Sequence, residues 1–351
     1  MPQQPTPFIE LQQQLDSERR LVSFDSYDMT IRQMYDMFSE GAIFVPPEYQ
    51  RQFVWDEPRE SELIESIFLG IPVPSLFMAT NADATWEIVD GVQRLSTIAH
   101  FVGDNPKLLT TINRKSPLKI TELEKLSALN DLTFGDLPRS MQLMFMTRPI
   151  RVTVLNDKSD LNVRFDLFER LNTGGVLLTN QEIRNCIYRG PFNESLRKIA
   201  TLEDFRKVVR LRESDSKNGT AEEYALRYFS YLYNYHNFEK SVKDFLNNYM
   251  KENSSKAIPP SRVSLFKKVL SHLEYAFPDG IKRGQSTITP VNLFEALSVG
   301  TALAIQAGVE PDNKKLRDLL NDKDLKKLTT AGTNNKKMVS GRIELVRDYL
   351  L

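Results

Sequence analysis

The chain has 351 residues, and 41% of them are hydrophobic, which is enough for a substantial core and favours two compact domains. Basic and acidic residues number 46 each, so the formal net charge is zero and no global field draws the protein to DNA or to an anionic membrane. A single cysteine, Cys186, excludes an intramolecular disulfide. Because the N-terminal sequence also lacks an apolar signal region, we expect a cytoplasmic protein with no membrane association.

The first half of the sequence mixes helical and strand-like patterns, which predicts an α+β domain. Helical segments are FIELQQQLDSERRL, IRQMYDMFSEG and the stretch that starts at Glu57. Strand-like segments are VSFDSYDMT, PSLFMAT, TWEIVD and PIRVTVL. The stretch PPEYQRQFVW is predicted to be extended, because Pro46 and Pro47 both oppose a helix. Leu95, Ile98 and Val102 have helical spacing, so a helix begins directly after Gly91.

The second half contains only helical patterns. One stripe of aromatic and apolar residues at helical spacing indicates a buried core face rather than a ligand stack. Its members are Tyr224, Tyr228, Tyr231, Leu232 and Tyr235. The apolar stretch from Leu293 contains Glu295 and is too short to span a bilayer, so it predicts a buried helix. We therefore predict an α/β domain at residues 1–205 and an α-helical domain at residues 206–351.

The sequence WEIVDGVQRLSTI, residues 86–98, predicts a strand, a tight turn and a helix. The first N–H groups of a helix have no intrahelical partner and favour negative charge, and Arg94 in the first turn would add a fork of donors for phosphate. Asp90 would repel a bare phosphate unless it holds Mg²⁺ or orients a water molecule. The alternative is that Asp90 caps the helix while Gly91 eases the turn. On these residues alone the cap is favoured.

A second group of polar residues precedes this motif. Tyr49, Gln50 and Arg51 lie in the extended segment with Phe53 and Trp55. Arg51 offers another donor fork for phosphate, and the aromatic rings offer faces for a nucleobase.

The sequence FERLNTGGVLLTNQEIRN forms a third group. A glycine pair at 174 and 175 indicates a turn, and Thr179 with Glu182 predicts a capping box that opens a helix. Such a turn does not need all the other polar groups nearby. They are Glu169, Arg170, Asn172 and Arg184.

These segments, in this order and spacing, resemble the GmrS-type domain of prokaryotic modification-dependent restriction systems. The segments are YQRQFVW, LIESIFLGIPVP, IVDGVQRLSTI, FERLNTGG and NQEIRN. That family is related to the ParB and sulfiredoxin nucleotide-binding fold, and its hallmark sequence is DGQQR. The resemblance covers most of the chain. It implies a ParB/sulfiredoxin-like α/β N-terminal domain followed by an α-helical domain.

The resemblance also implies nucleotide binding and Mg²⁺-dependent hydrolysis of a nucleoside triphosphate of unidentified base. We expect Asp90, Gln93 and Arg94 to be catalytic, with Asp90 also a metal ligand. The arginine of the family's YQR sequence corresponds to Arg51. The other expected nucleotide-binding residues are Tyr49, Gln50, Gly91, Asn172, Thr173 and Arg184. The sequence departs from the hallmark at Val92, where the family has glutamine, so binding is a firmer expectation than hydrolysis.

The histidines do not form a nuclease motif. His100, His236 and His272 are scattered, and no HNH-like cluster follows the helical half. We therefore expect an anti-phage or restriction component that acts with a separate nuclease or effector. Two alternatives remain open: a non-catalytic nucleotide-sensing module, and a ParB-like nuclease that nicks DNA. Contact with DNA through local basic runs such as RKVVRLR, and assembly into a homo-oligomer, also remain open.

Overall fold

The structure is a computed structural model that describes residues 7–19, 23–46, 53, 55–81, 83–156, 161–171, 178–330, 332 and 334–351. By its internal contacts the chain divides into two compact units, Met1–Leu177 and Leu178–Leu351. The domain boundary predicted after residue 205 falls inside the helix Glu203–Val208, which packs on another helix of the second unit. The predicted α+β class with a helical second half is confirmed.

The first unit combines helices with a mixed sheet. Its described helices are α1 (Pro7–Arg19), α2 (Ile31–Ser39), α3 (Glu57–Leu69), α4 (Val92–Val102), α5 (Pro106–Thr111), α6 (Arg139–Met146) and α7 (Leu161–Leu171). Its described strands are β1 (Phe24–Thr30), β2 (Ile43–Phe44), β3 (Leu76–Thr80), β4 (Trp86–Asp90) and β5 (Pro149–Leu155). Short 3₁₀ turns lie at Ser127–Leu129 and Phe134–Asp136.

Within the described residues the strands form a five-stranded sheet in the order β1-β5-β3-β4-β2. The pairs β1/β5 and β3/β4 are antiparallel, whereas β3/β5 and β2/β4 are parallel. Asp90, the last residue of β4, pairs with Phe77 next to a register shift between Phe77 and Met78. Such an irregularity re-aims the side chains at the end of a strand. It lies where the strand leads into α4.

Local sequence signals explain where these helices begin and end. Thr30 both ends β1 and caps α2, and its side chain and Gln33 form a reciprocal capping box. The side chain of Asp56 caps α3, which ends at Gly70 in the left-handed conformation. Much of the predicted extended segment PPEYQRQFVW, at residues 47–52 and 54, lies outside the described residues.

The second unit is helical, with no strand among its described residues. Its helices are α8 (Asn180–Ile187), α9 (Pro191–Ala200), α10 (Glu203–Val208), α11 (Thr220–Asn234), α12 (Val242–Asn253), α13 (Pro260–Ala276), α14 (Val291–Gln306), α15 (Asn313–Leu319), α16 (Lys323–Thr329) and α17 (Lys336–Leu350). Two more 3₁₀ turns lie at Ser214–Ser216 and Tyr235–Asn237.

The tyrosine stripe of α11 belongs to the core of this unit, as predicted. Tyr228 lies 4.4 Å from Phe266 between ring centroids, and Tyr224 lies 5.4 Å from Phe294. The helix α14 is buried along most of its length, which confirms the expectation for the stretch from Leu293. No helix in the described part of the chain is long and apolar enough to cross a membrane.

A chain of ion pairs crosses the core of the second unit. Arg227 contacts Glu223 at 2.8 Å and Glu295 at 2.5 Å, and Glu295 also pairs with Arg342. Arg184 extends the chain through Glu223 at 3.1 Å. These contacts join α8, α11, α14 and α17 through charges that are largely removed from water.

Candidate functional site

The DGVQR sequence forms the strand, tight turn and helix that its pattern predicts. β4 ends at Asp90, Gly91 forms the turn with a φ of +97°, and α4 begins at Val92. Only glycine adopts this left-handed conformation without strain. A Cβ atom on Gly91 would also lie 2.2 Å from Cδ2 of Leu76, so the turn has no room for a side chain.

The N-terminus of α4 has no side-chain cap within the described residues. Gly91 occupies the N-cap position and makes no such bond, so the alternative in which Asp90 caps the helix is wrong. Gly91, Val92 and Gln93 are nevertheless buried. A buried helix terminus needs partners for its first N–H groups. An anion is one such partner, and it would also interact favourably with the helix dipole.

Asp90 and Arg94 flank this terminus and pair with each other. Nη2 of Arg94 donates to Oδ2 of Asp90 at 2.7 Å, and the Arg94 and Asp90 side chains are 14% and 28% exposed, respectively. A guanidinium and a carboxylate with partial access to solvent are thus held at one end of α4. The guanidinium suits phosphate oxygens. The carboxylate is a ligand type that Mg²⁺ accepts.

Gln93 connects α4 to the segment that follows the YQR sequence. Its Oε1 accepts a hydrogen bond from the backbone N–H of Trp55 at 3.3 Å. The Trp55 ring is covered by Arg59, whose Cζ lies 4.8 Å from the ring centroid. The structure therefore brings the end of YQRQFVW to the first turn of the DGVQR helix.

Three residues that the sequence analysis did not select lie beside this junction. Glu60 is fully buried in α3, and its carboxylate contacts His100 and Arg114 at 2.5 Å and 2.7 Å. Glu60 stands one helical turn before Ile64, on the apolar face of α3. A lone charge on that face was the available sequence signal.

Val92, the position at which the sequence departs from the predicted DGQQR pattern, belongs to the buried core. A side chain at this position packs inside the domain. The substitution therefore changes a packing position, while the backbone N–H of residue 92 remains at the helix terminus.

Arg184 lies in the second unit and is only 1% exposed. Its guanidinium donates to Asn247 at 2.8 Å, Gln181 at 3.1 Å and Glu223 at 3.1 Å. Burial lowers the pKa of Arg184, although Glu223 acts in the opposite direction. These contacts give Arg184 a role in holding helices together, and its contribution to a nucleotide site stays a prediction.

The remaining predicted site residues lie outside the described residues. They are Tyr49, Gln50, Arg51, Asn172 and Thr173. Within the described part of the chain, no group of three or more His, Cys, Asp or Glu side chains is arranged to hold a metal ion. Mg²⁺ is often bound by one or two carboxylates together with substrate phosphates. Asp90 beside the N-terminus of α4 fits that mode of binding.

Comparison with known families identifies this region. Residues 31–189 match the sequence model of the family described as the GmrSD restriction endonuclease, N-terminal domain. This part of the chain is a GmrSD-type N-terminal domain. The predicted resemblance to that family is confirmed here, and the domain implies a role in a restriction system. The match contains β4, α4 and all five residues of DGVQR, and it ends just after α8.

A similarity was also found among solved structures. A Pnob8-like ParB-N domain is 12% identical in sequence, with an alignment that covers 94% of this chain and 99% of that chain at a TM-score of 0.22. The comparison with curated proteins gives no match.

Proposed function

We propose that the protein binds and hydrolyses a nucleoside triphosphate as one component of an anti-phage restriction system, and that a separate nuclease or effector acts with it. The observation that carries this proposal is the buried N-terminus of α4, which has no side-chain cap in the described structure and has Arg94 in its first turn. Backbone N–H groups and a guanidinium at one point form a site for phosphate. The GmrSD-type domain supplies the restriction context.

Each residue of the motif has a role that its chemistry allows. Arg94, together with Arg51, neutralises phosphate charge. Gly91 forms the tight turn that places Asp90 and Arg94 together at the N-terminus of α4. Asp90 would hold Mg²⁺ or orient the attacking water, and bound Mg²⁺ would neutralise charge on the phosphates. Gln93 anchors Trp55, because its side-chain oxygen accepts a hydrogen bond from the Trp55 N–H.

The ion pair between Asp90 and Arg94 matches the charges of a metal–nucleotide complex. The pair places a negative and a positive group 2.7 Å apart. A phosphate would compete with Asp90 for Arg94, and the divalent cation would compete with Arg94 for Asp90. The metal–nucleotide complex would thus supply a new partner for each member of the ion pair. Phosphate without the cation would still be repelled by Asp90. Binding is therefore expected to require both components.

A second candidate function is a nucleotide-sensing module that does not hydrolyse its ligand. Two observations favour it: Val92 stands where the hallmark has glutamine, and the Gln93 side chain already accepts a bond from Trp55. In that case the ligand would shift a conformational equilibrium rather than react. A DNA-nicking nuclease is the third reading, and assembly with DNA or with a second copy of the chain is compatible with each.

The test is phosphate release by the purified protein with each of the four ribonucleoside triphosphates, with Mg²⁺ and with or without DNA. Arg94→Ala should lower turnover by about 10²–10³-fold, since it removes one preorganised donor. Arg151→Ala is the matched control, because Arg151 forms an exposed ion pair with Asp28 on the sheet that contains β4. The control should retain full turnover.

Each other outcome favours a different function. Thermal stabilisation by a nucleotide without phosphate release would favour the sensing module. Metal-dependent nicking of DNA that disappears in Arg94→Ala would favour the nuclease. If no nucleotide stabilises the wild-type protein in the presence of Mg²⁺, the nucleotide function is wrong.

A further inference from the structure

A buried triad of Glu60, His100 and Arg114 lies beside the candidate site. Oε1 of Glu60 accepts a hydrogen bond from Nη2 of Arg114 at 2.7 Å, and Oε2 lies 2.5 Å from Nδ1 of His100. Glu60 is fully buried, and His100 is also buried. A carboxylate removed from water in this way is costly unless charged or donating groups satisfy both of its oxygens. The triad meets that requirement.

The contacts of His100 define the charge of the triad. Nε2 lies 3.1 Å from the carbonyl oxygen of Ser116, which can only accept, so Nε2 carries a hydrogen. Nδ1 faces a carboxylate oxygen, so the short contact to Glu60 also requires one proton, on either atom. Glu60 and His100 together are therefore neutral, and Arg114 leaves the triad with one net positive charge.

Arg114 connects the triad to the segment before α3. The same Nη2 that contacts Glu60 also donates to the carbonyl oxygen of Trp55 at 2.9 Å. The Cζ atom of Arg114 lies 4.5 Å from the centroid of the Phe53 ring. One guanidinium therefore contacts both Phe53 and Trp55, the two described residues between positions 47 and 55.

Trp55 is held from two sides at its backbone. Its N–H donates to Oε1 of Gln93 at 3.3 Å, and its carbonyl oxygen accepts from Arg114. Gln93 belongs to the first turn of α4, where the phosphate is proposed to bind. Arg114 of the triad and Gln93 of the DGVQR motif thus both form hydrogen bonds with the backbone of Trp55, although Arg114 does not belong to the motif.

We propose that Arg114, held by Glu60 and His100, is a positioning residue that fixes Trp55 against Gln93 and so preorganises the first turn of α4 for the nucleotide. This inference rests on the proposed function. Arginine suits the task because its planar fork reaches the Glu60 carboxylate and the Trp55 carbonyl together while its face covers Phe53. A group held by two buried partners keeps the geometry of the residues that it contacts.

Trp55 provides a direct spectroscopic reporter. The chain has two tryptophans, Trp55 and Trp86, so Trp86→Phe leaves Trp55 as the only one. Phenylalanine at position 86 keeps an aromatic ring beside Tyr27, which stacks on Trp86 at 5.6 Å. In this background Arg114→Gln should shift Trp55 emission to longer wavelength and raise its quenching by acrylamide, because the carbonyl anchor is lost.

Arg148→Gln is the matched control. Nη2 of Arg148 donates to the carbonyl oxygen of Phe68 at 2.9 Å, which is the same type of contact at another place in the first unit. Each variant loses a hydrogen bond to a backbone carbonyl, so both should have a lower thermal midpoint. The emission of Trp55 should stay unchanged in the control. Arg114→Lys keeps the charge and serves if Arg114→Gln does not fold.

The functional readout separates turnover from binding. Arg114→Gln should lower phosphate release by about 10–100-fold, as misplacement of a reacting group does, and change the dissociation constant of a non-hydrolysable nucleotide with Mg²⁺ by less than threefold. Arg114→Lys should recover part of the lost turnover. Equal turnover and equal Trp55 emission in Arg114→Gln and Arg148→Gln would overturn the positioning role alone. A wild-type protein that responds to no nucleotide would overturn both this role and the proposed function.

Discussion

Gly91 is the residue on which the local geometry of the site depends most directly. It allows β4 to turn into α4 with a φ of +97°, and the space where its side chain would stand is filled by Leu76. A side chain at residue 91 would therefore have two separate energetic costs. One is backbone strain for any residue with a Cβ atom, and the other is overpacking against a buried leucine.

We predict that Gly91→Ala lowers the free energy of unfolding by about 2 kcal/mol or more, because strain and overpacking add. Gly41→Ala separates the two costs, since Gly41 has a φ of +81° and a Cβ atom placed there would meet no other atom within 4 Å. That control should lose only about 1 kcal/mol, the strain part. Urea denaturation measures both. Equal losses would mean that Leu76 moves aside and that steric fit does not enforce glycine at 91.

The sequence analysis selected residues of the candidate site that are close together in the chain and missed contacting residues that are distant in it. Asp90, Gly91, Gln93 and Arg94 follow one another closely, so the strand and helix patterns around them were sufficient to place them. His100 and Arg114 meet Glu60 across separations of 40 and 54 residues. Spacing along one element carries no information about such a meeting.

At the scale of elements, the chain begins its helices in two ways. Thr30, Asp56 and Thr179 cap theirs with a side-chain oxygen, whereas α4 has no side-chain cap in the described structure. The capping box of Thr179 with Glu182 was predicted from sequence and is confirmed. The lack of a side-chain cap on α4, within the described residues, could not be predicted, because an aspartate stood next to the expected terminus.

We predict that Thr30→Ala lowers the free energy of unfolding by about 1 kcal/mol, since it leaves the N–H of Gln33 without its side-chain acceptor. Thr147→Ala is the control with the same substitution. Oγ1 of Thr147 donates to the carbonyl oxygen of Leu143 at the exposed end of α6, so its loss leaves no backbone N–H without an acceptor. Thermal unfolding should shift for the first variant and stay nearly constant for the second. The reverse order would argue against the capping box as a source of stability.

Short elements were beyond the reach of the sequence patterns. β2 has two residues, Ile43 and Phe44, and it exists because they pair with Trp86 and Glu87 of β4. Two residues cannot display a period, so only the neighbouring strand defines this element. The long helices of the second unit, with apolar faces that repeat over several turns, were predicted for the opposite reason.

At the scale of the molecule, each unit has its own apolar core, and the core of the second unit also contains charge. Glu223, Glu295, Arg184, Arg227 and Arg342 connect four helices that are distant in sequence. Burial alone would raise the pKa of Glu223, but attraction to Arg227 and Arg184 outweighs it and holds that pKa below its ordinary value. Each buried charge of this network therefore depends on its oppositely charged neighbours to stay ionised.

Glu295 is the member whose loss should matter most, because its two oxygens serve two different arginines. Oε1 contacts Arg227 at 2.5 Å and Oε2 contacts Arg342, and Glu295 and Arg342 are both fully buried. We predict that Glu295→Gln lowers the free energy of unfolding by about 3–5 kcal/mol, since the guanidinium groups of Arg227 and Arg342 each lose one charged partner in the buried core. Chemical denaturation followed by far-UV circular dichroism measures the loss.

Glu310→Gln is the matched control, because Glu310 also contacts two basic groups, Lys268 at 2.7 Å and His272 at 3.0 Å, but at the surface. Water and salt screen these contacts, so the denaturation midpoint should stay nearly unchanged. Comparable losses in the two variants would show that burial does not set the strength of the network. A large loss confined to Glu295→Gln would mean that the helical unit depends on ion pairs which sequence patterns of apolar residues do not reveal.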